Sequence, residues 1–146
     1  MYKKPIPDIR ILPMSQEVEF PRQSIEDVQY NYFLKKLINQ NGQYYYRKSG
    51  LNSCEGSFVL FQFDKSIIAA ATLVKIEKYK NPFKGEYYGA YIFDIESIAV
   101  FKPIIFDEIH NIDNSVMPFS RTKQKIDYSY LTKVKELIKS KQSDFS

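Results

Sequence analysis

The chain has 146 residues, of which 44% are hydrophobic and 26% are charged, a composition typical of one globular domain that can bury a core. Its single cysteine, Cys54, excludes an internal disulfide, and no cluster of cysteines and histidines suggests a structural metal. No apolar run approaches the ~20 residues of a membrane-spanning helix, so we expect no membrane contact. The single cysteine is typical of a reducing compartment, so we expect a cytoplasmic protein, and we expect neither a metal nor a cofactor.

The positive charge is concentrated near the C-terminus. Residues 1–120 contain 14 basic and 14 acidic residues, whereas residues 121–146 contain seven basic and three acidic ones, which accounts for the net charge of +4. Such an asymmetry indicates a polyanionic partner. A solvated, lysine-rich helix explains it equally well, so this feature alone leaves both interpretations open.

The N-terminal part is predicted to contain an extended segment and a helix. Residues 1–23 include four prolines and should run extended over the surface, with Glu17–Phe20 compatible with a short strand. Ser24, followed three residues later by Asp27, resembles a capping box and should begin a helix over residues 24–41. Asn41-Gly42 supplies the stop signal of this helix.

Residues 44–101 form the apolar centre of the chain, and we predict that they are the strands of a barrel. Four segments have the composition of strands: Ser57–Phe63, Ser66–Ile76, Tyr87–Phe93 and Ser97–Phe101. Asp64-Lys65 is a two-residue connection suited to a tight hairpin, and Glu77–Glu86 is predicted to be a polar loop.

A final helix is predicted over residues 129–140, with Ser129 as its N-cap. The order of elements indicates an α+β fold in one domain, residues 1–146. We expect a small, curved sheet of mixed or antiparallel strands that curls into a barrel, flanked by an N-terminal and a C-terminal helix.

Residues that could carry catalysis are isolated in the sequence. His110 is the single histidine and lies in a loop-like segment, and Cys54 has no base nearby in the sequence. Asp94 and Glu96 lack the following lysine that a nuclease of the PD-(D/E)xK type needs, so a turn-stabilising role suits them better. We therefore predict no catalytic residue in this chain.

Aromatic and basic residues alternate in three places. These are Tyr44–Lys48, then Tyr79 between Lys78 and Lys80, and then Arg121–Tyr130. Unpaired or flipped bases stack on aromatic rings while Arg and Lys contact phosphates, so the pattern is typical of proteins that bind nucleic acid.

The strand block resembles a known superfamily. "EGSFVLFQFDKSIIAAATLVKI" is similar to the signature of PUA-like barrels, particularly the EVE, ASCH and YTH relatives. "YYGAYIFDIESIAVFKPIIFDEIHNI" and "SRTKQKIDYSYLTKVKELI" resemble the later strand and the closing helix, so the likeness covers about residues 42–140. It implies a nucleic-acid-binding domain that often reads one modified base in an aromatic pocket, as in modification-dependent restriction systems beside a nuclease.

The resemblance also implies a site. Arg47 and Asn52 match, by position, an Arg and an Asn near the ligand in EVE-like relatives, and tyrosines would replace the tryptophans that this chain lacks. Residues expected at phosphates are Arg47, Lys48, Arg121, Lys123 and Lys125. Residues expected to stack on bases are Tyr44, Tyr45, Tyr46, Tyr87 and Tyr88, and those expected at a base edge are Asn52, Ser53 and Gln124.

We therefore expect a recognition module of a restriction or defence protein that binds DNA in preference to RNA, with a fused or partner nuclease. One alternative is a small ASCH-like hydrolase that would use Lys48 with Glu55 or Glu96. The other alternative is a protein-interaction module whose aromatic patches meet another protein.

Overall fold

A computed structural model describes residues 6–15, 20–47 and 53–143 of the chain. Its centre is a seven-stranded sheet with the order β2-β5-β4-β3-β1-β7, in which β6 pairs with β4 outside this path. The strands are β1 Ile9–Pro13, β2 Gln43–Tyr46, β3 Phe58–Phe63, β4 Ser66–Phe83, β5 Tyr87–Phe93, β6 Ala99–Ile104 and β7 Gln124–Ile126. The predicted α+β class with mixed pairing is confirmed, because β1 runs parallel to β3 while the other pairs are antiparallel.

Among the described strands, the sheet does not close into the predicted barrel, since β2 and β7 are the two ends of the path of paired strands. The long strand β4 changes its partners along its length. Between Ile67 and Thr72 β4 pairs with β3 and β6, and from Leu73 onward it pairs with β5. One strand thus joins two parts of the same sheet.

The first helix begins where the sequence predicts. Helix α1 runs without a break through Ile25–Asp27, Val28–Lys36 and Leu37–Asn39, and its middle part is π-helical. Ser24 and Asp27 form the predicted capping box, with hydrogen bonds of 3.0 and 3.1 Å. Two α-helices follow, α2 Phe106–His110 and α3 Leu131–Ser143, with 3₁₀ turns at Ile95–Ser97 and Tyr128–Tyr130.

Alternate residues of β3 pack into two cores on opposite faces of the sheet. Phe61 faces a core that includes Phe33 and Leu37 of α1, and Leu60 faces a core that includes Val134 of α3. The sheet therefore lies between the two helices, in agreement with the prediction that they flank it. No helix in the described ranges is long and apolar enough to cross a bilayer.

Two N-terminal expectations are corrected or left open. Within the predicted surface segment of residues 1–23, β1 is an inner strand, because the side chains of Ile9 and Ile11 are completely buried and its backbone pairs with β3 and β7. The suggested strand Glu17–Phe20 lies mostly outside the described residues.

The prediction of a loop over Glu77–Glu86 is wrong for most of these residues, because they continue strand β4. β4 continues to Phe83 because Glu77 and Lys78 pair with β5 despite their polar side chains. The turn is confined to residues 84–86, where Lys84 and Gly85 both have positive φ angles.

The start of the last helix also differs from the prediction. Ser129 is not the N-cap: the Asp127 carboxylate accepts a 2.9 Å hydrogen bond from the N–H of Ser129 and caps the 3₁₀ turn before α3. That hydrogen bond lowers the pKa of Asp127 below its ordinary value. The short strand β7, just before this turn, has no counterpart in the sequence-based prediction.

Candidate nucleic-acid interface

The tyrosine run lies on β2, at one edge of the sheet, where β5 is its paired neighbour. Side chains on a strand alternate between faces, and here Tyr44 and Tyr46 are buried whereas Tyr45 is partly exposed. Tyr44 and Tyr46 both stack on Tyr91 of β5, with ring centroids 6.1 and 4.8 Å away. Of the three tyrosines, Tyr44 and Tyr46 therefore belong to the core, and Tyr45 faces the surface.

Tyr46 fastens β2 to the hairpin formed by β4 and β5. Its hydroxyl donates a 3.2 Å hydrogen bond to the backbone oxygen of Glu77. This approach requires a glycine at position 89, because a Cβ on Gly89 would collide with the Tyr46 hydroxyl and with the same Glu77 oxygen. Burial raises the pKa of Tyr46, which keeps the phenol neutral and able to donate.

Next to this edge is a cavity of about 120 Å³. Five aromatic rings wall it, those of Phe20, Tyr32, Tyr44, Tyr45 and Tyr87. Three polar side chains complete the lining, those of Lys36, Gln40 and Arg47. The cavity therefore combines aromatic walls with two positive charges and an amide.

Helix α1 and the residue after it contribute three of these groups because of their spacing. Tyr32, Lys36 and Gln40 follow one another at intervals of four residues, which places them along one side of the helix. The Tyr32 ring meets Tyr44 edge-on at 5.9 Å, and Gln40 Nε2 donates to the backbone oxygen of Gln43 at 3.0 Å. π-helical turns recur at functional sites, and the one here, Val28–Lys36, carries Tyr32 and Lys36.

Arg47 is the most constrained cation of the cavity. Its guanidinium lies over the ring of Tyr87 at 5.5 Å, and its Nη2 is 3.4 Å from Glu86 Oε1. Its Nε is shielded from solvent and has no hydrogen-bond partner among the described residues. Burial lowers the pKa of Arg47, but its contacts with Tyr87 and Glu86 outweigh this and raise the pKa above its ordinary value. The cavity thus keeps a permanent positive charge with one unused donor.

Further rings continue from the cavity onto the hairpin. Tyr45 stacks on Phe83 at 5.1 Å and packs against Tyr87 at 5.4 Å, and Tyr79 meets Phe83 edge-on at 6.3 Å. We call Tyr45, Tyr79, Phe83 and Tyr87 the hairpin rings. The ammonium group of Lys84 lies 5.5 Å above the Phe83 ring, so this surface carries a cation of its own.

The structure brings together Tyr44, Tyr45, Arg47 and Tyr87 of the predicted site. Sequence reasoning missed Phe20, Tyr32, Lys36 and Gln40 as members of the same cavity. The four-residue spacing of Tyr32, Lys36 and Gln40 is a signal, but it becomes informative only when the helix is known to pack beside Tyr44.

Other predicted site residues are engaged elsewhere or fall outside the description. Lys48 and Asn52 lie outside the described residues. The Ser53 hydroxyl lies 2.7 Å from Asp8 Oδ1 and 2.8 Å from Ser57 Oγ, within a polar network beside β1. Tyr88 is exposed on β5 and does not line the cavity.

The C-terminal basic segment is at the far end of the sheet path. Arg121, Lys123 and Lys125 are exposed, and β7 and β2 are opposite ends of the strand order. The Gln124 amide is used locally, because it accepts from Met117 N at 2.7 Å and donates to Met117 O at 2.9 Å. None of these residues lines the cavity.

The acids of the hydrolase alternative are also outside the cavity. Glu55 lies in a turn before β3, and Glu96 lies in a 3₁₀ turn where its N–H donates to the side chain of Asp94. Within the described ranges, no three His, Cys, Asp or Glu side chains are placed to hold a metal ion.

The sequence matches no protein-family model and no curated protein. Solved structures do resemble the fold. The ASCH protein from Zymomonas mobilis superposes with a TM-score of 0.55 at 12% identity, covering 88% of this chain and 94% of that one. A Tyr-to-Phe variant of that protein superposes with a TM-score of 0.55 at 13% identity, covering 88% of this chain and 97% of that one. A Ser-to-Ala variant superposes with a TM-score of 0.57 at 12% identity, covering 92% of this chain and 99% of that one. The chain thus shares the fold of these ASCH structures, while an EVE or restriction-system type gains no support from these neighbours.

Proposed function

We propose that this chain is a nucleic-acid-binding module that inserts one base of a single strand, or one flipped base, into the cavity beside β2. The observation that carries the proposal is a cavity with five aromatic rings and two cations in its lining. The ASCH fold adds support, because the PUA-like superfamily includes proteins that bind nucleic acid.

The size of the cavity suits one aromatic ring. An engineered protein cavity of about 150 Å³ binds benzene, and the cavity here is smaller, about 120 Å³, so a base would enter it edge-first and in part. A base held between tyrosine rings gains about 1–3 kcal/mol from stacking. Every base has a π-face, so stacking alone provides affinity with little choice of sequence, and the amide of Gln40 is the group placed to read a base edge.

The cations suit the phosphates next to such a base. Lys36 and Arg47 line the cavity together, and the Nη2 of Arg47, which meets the partly exposed Glu86 at 3.4 Å, is the donor that a phosphate would reach. Arg forms charge-assisted hydrogen bonds to phosphate oxygens that are about twice as strong as neutral ones. We therefore assign phosphate contact to Arg47 and Lys36, and base stacking to Tyr45 and Tyr87.

Several finer points of the proposal rest on the sequence resemblance. They are a preference for DNA over RNA, recognition of a modified base, and a role in a restriction or defence protein with a fused or partner nuclease. Action in the cytoplasm as one domain rests instead on the composition and length of the chain. Phosphate contacts by Arg121, Lys123 and Lys125 would belong to a second surface, at the β7 end of the sheet.

The test is a binding titration with fluorescent oligonucleotides, single- and double-stranded, DNA and RNA, with and without modified cytosine or adenine. We expect the single strand to bind, and binding to fall steeply with added salt because phosphate contacts release counterions. A protein-interaction module would show no such salt dependence. Failure of every oligonucleotide to bind at low salt would refute the proposal.

Variants locate the site. Tyr45→Ala with Arg47→Ala should weaken binding by about tenfold or more, since a stacked base and a phosphate contact are both lost. Tyr128→Ala and Lys139→Ala are the matched controls, which remove an exposed ring and an exposed cation from the C-terminal part. A loss in the controls that equals the loss in the double variant would place the site elsewhere, and circular dichroism checks that all variants fold.

A further inference from the structure

We propose that the hairpin rings form a second stacking subsite, which holds a nucleotide flanking the one in the cavity. This inference rests on the proposed function and extends it from a pocket for one base to a short track for a single strand. Its ligand class is therefore a single-stranded oligonucleotide of several units.

The hairpin rings are not part of either core of the protein. Tyr45, Tyr79, Phe83 and Tyr87 are absent from both clusters of buried apolar residues, and Phe83 is 41% exposed. Beyond Leu73, β4 pairs with β5 alone among the described strands, so this part of the hairpin extends past the main sheet. Large rings placed there add little to the core and are available to a ligand.

Tyr45 connects the two subsites. It lines the cavity, and it also stacks on Phe83 with an interplanar angle of 26°. Tyr87 is shared in the same way, because it lines the cavity and tilts against Phe83 at 6.5 Å. A strand whose base enters the cavity would therefore leave it along rings that contact one another.

The charges on the hairpin favour a nucleic acid as the occupant. Residues 75–86 contain four lysines against two glutamates. The ammonium group of one of the lysines, Lys84, lies over the Phe83 ring. Arg47 lies over Tyr87 at the other side of the cluster. Aromatic faces bordered by Lys and Arg are the arrangement that binds single strands, by stacking on bases and pairing with phosphates.

The experiment compares ligands of increasing length. Thymidine monophosphate, measured by NMR shift titration, reports on the cavity alone, and a four-unit thymidine oligomer, measured by anisotropy, reports on the cavity and the hairpin rings together. Phe83→Ala and Phe83→Leu should each weaken binding of the oligomer by about fivefold or more, because the oligomer reaches the Phe83 ring. Binding of the mononucleotide should change by less than about twofold, because this ligand does not reach the ring.

Phe83→Leu separates stacking from packing, since leucine keeps the apolar bulk but has no ring. Ile95→Ala is the matched control, because Ile95 is 40% exposed on another turn and is absent from the hairpin rings. If Phe83→Leu binds the oligomer as the wild type does, or weakens both ligands equally, the second subsite is refuted while the cavity proposal stands. If the wild type binds neither ligand, both proposals fail.

Discussion

Replacing Glu86 with Gln should tighten nucleic-acid binding, because Glu86 competes with the ligand for Arg47. Glu86 Oε1 lies 3.4 Å from Arg47 Nη2, with side-chain exposures of 48% and 35%. Two unit charges at about this separation attract by about 1 kcal/mol in bulk water, and exposed ion pairs contribute about 0.2–1 kcal/mol when measured. A phosphate that reaches Arg47 must displace this carboxylate, so its removal should raise affinity by about 1.4- to 5-fold.

Glu77→Gln is the matched control for this change. Glu77 lies on the same hairpin and pairs with Lys75 at 3.5 Å, so its replacement alters the net charge equally without touching Arg47. Anisotropy titrations of a single-stranded oligonucleotide should show a clear gain for Glu86→Gln and a smaller gain for Glu77→Gln. The difference should shrink between low salt and about 0.15 M salt, since screening weakens the pair. Equal gains in both variants, or weaker binding by Glu86→Gln, would refute the competition.

Three further predictions concern the scaffold that holds the site. Gly89→Ala should destabilise the fold by about 1–3 kcal/mol in urea unfolding, because its methyl group would collide with the Tyr46 hydroxyl and the Glu77 backbone; an unchanged midpoint would contradict this close packing. Gln29→Met should lower the free energy of unfolding by about 2–4 kcal/mol in the same assay, because the Gln29 amide donates to two strand carbonyls, at 2.9 and 2.7 Å, that would lose this donor. An unchanged free energy of unfolding would show that water replaces the amide. Burial raises the pKa of Tyr46 above the ordinary 10.0, so the stability that the neutral phenol contributes is complete below pH 10.0 and is lost as the pH rises through the folded-state pKa. The free energy of unfolding of Tyr46→Phe should therefore fall less than that of the wild type between about pH 8 and about pH 11. An equal fall in both proteins would contradict the assignment.

Local signals in the sequence were sufficient for several elements. The Ser24 capping box marked the start of α1, and Asp64-Lys65 was recognised as a hairpin turn although it contains no glycine. Both residues of that turn adopt positive φ angles, which the strand pairing on either side enforces. The alternation of Tyr44, Tyr45 and Tyr46 also followed from strand geometry alone.

Features that depend on distant pairing were not accessible from the sequence. β1 is short, follows Pro7 and ends at Pro13, and it becomes an inner strand through its partners β7 and β3, the latter almost fifty residues away (Ile9 pairs with Phe58). Glu77 and Lys78 have a loop-like composition, but β5 provides the partners that extend β4. In each case tertiary contacts outweigh local propensity.

The candidate site was predicted in part for the same reason. Tyr45, Arg47 and Tyr87 were identified because aromatic and basic residues alternate near them in the sequence, and they do line one cavity. Lys36 lies in α1 and Gln40 directly follows it, and no local pattern reveals that this helix is positioned beside β2. Arg121 belonged to an equally suggestive segment, which the strand order puts at the opposite end of the sheet path.

Photocrosslinking tests the central claim, that a base enters the cavity, most directly. A short single strand containing 5-iodouracil would be bound, irradiated and digested, and the crosslinked peptides would be assigned by mass spectrometry. The account predicts crosslinks to the cavity rings, above all Tyr45 and Tyr87, and their loss in Tyr45→Ala. Crosslinks confined to residues 121–130, or binding without any crosslink to the cavity rings, would contradict it.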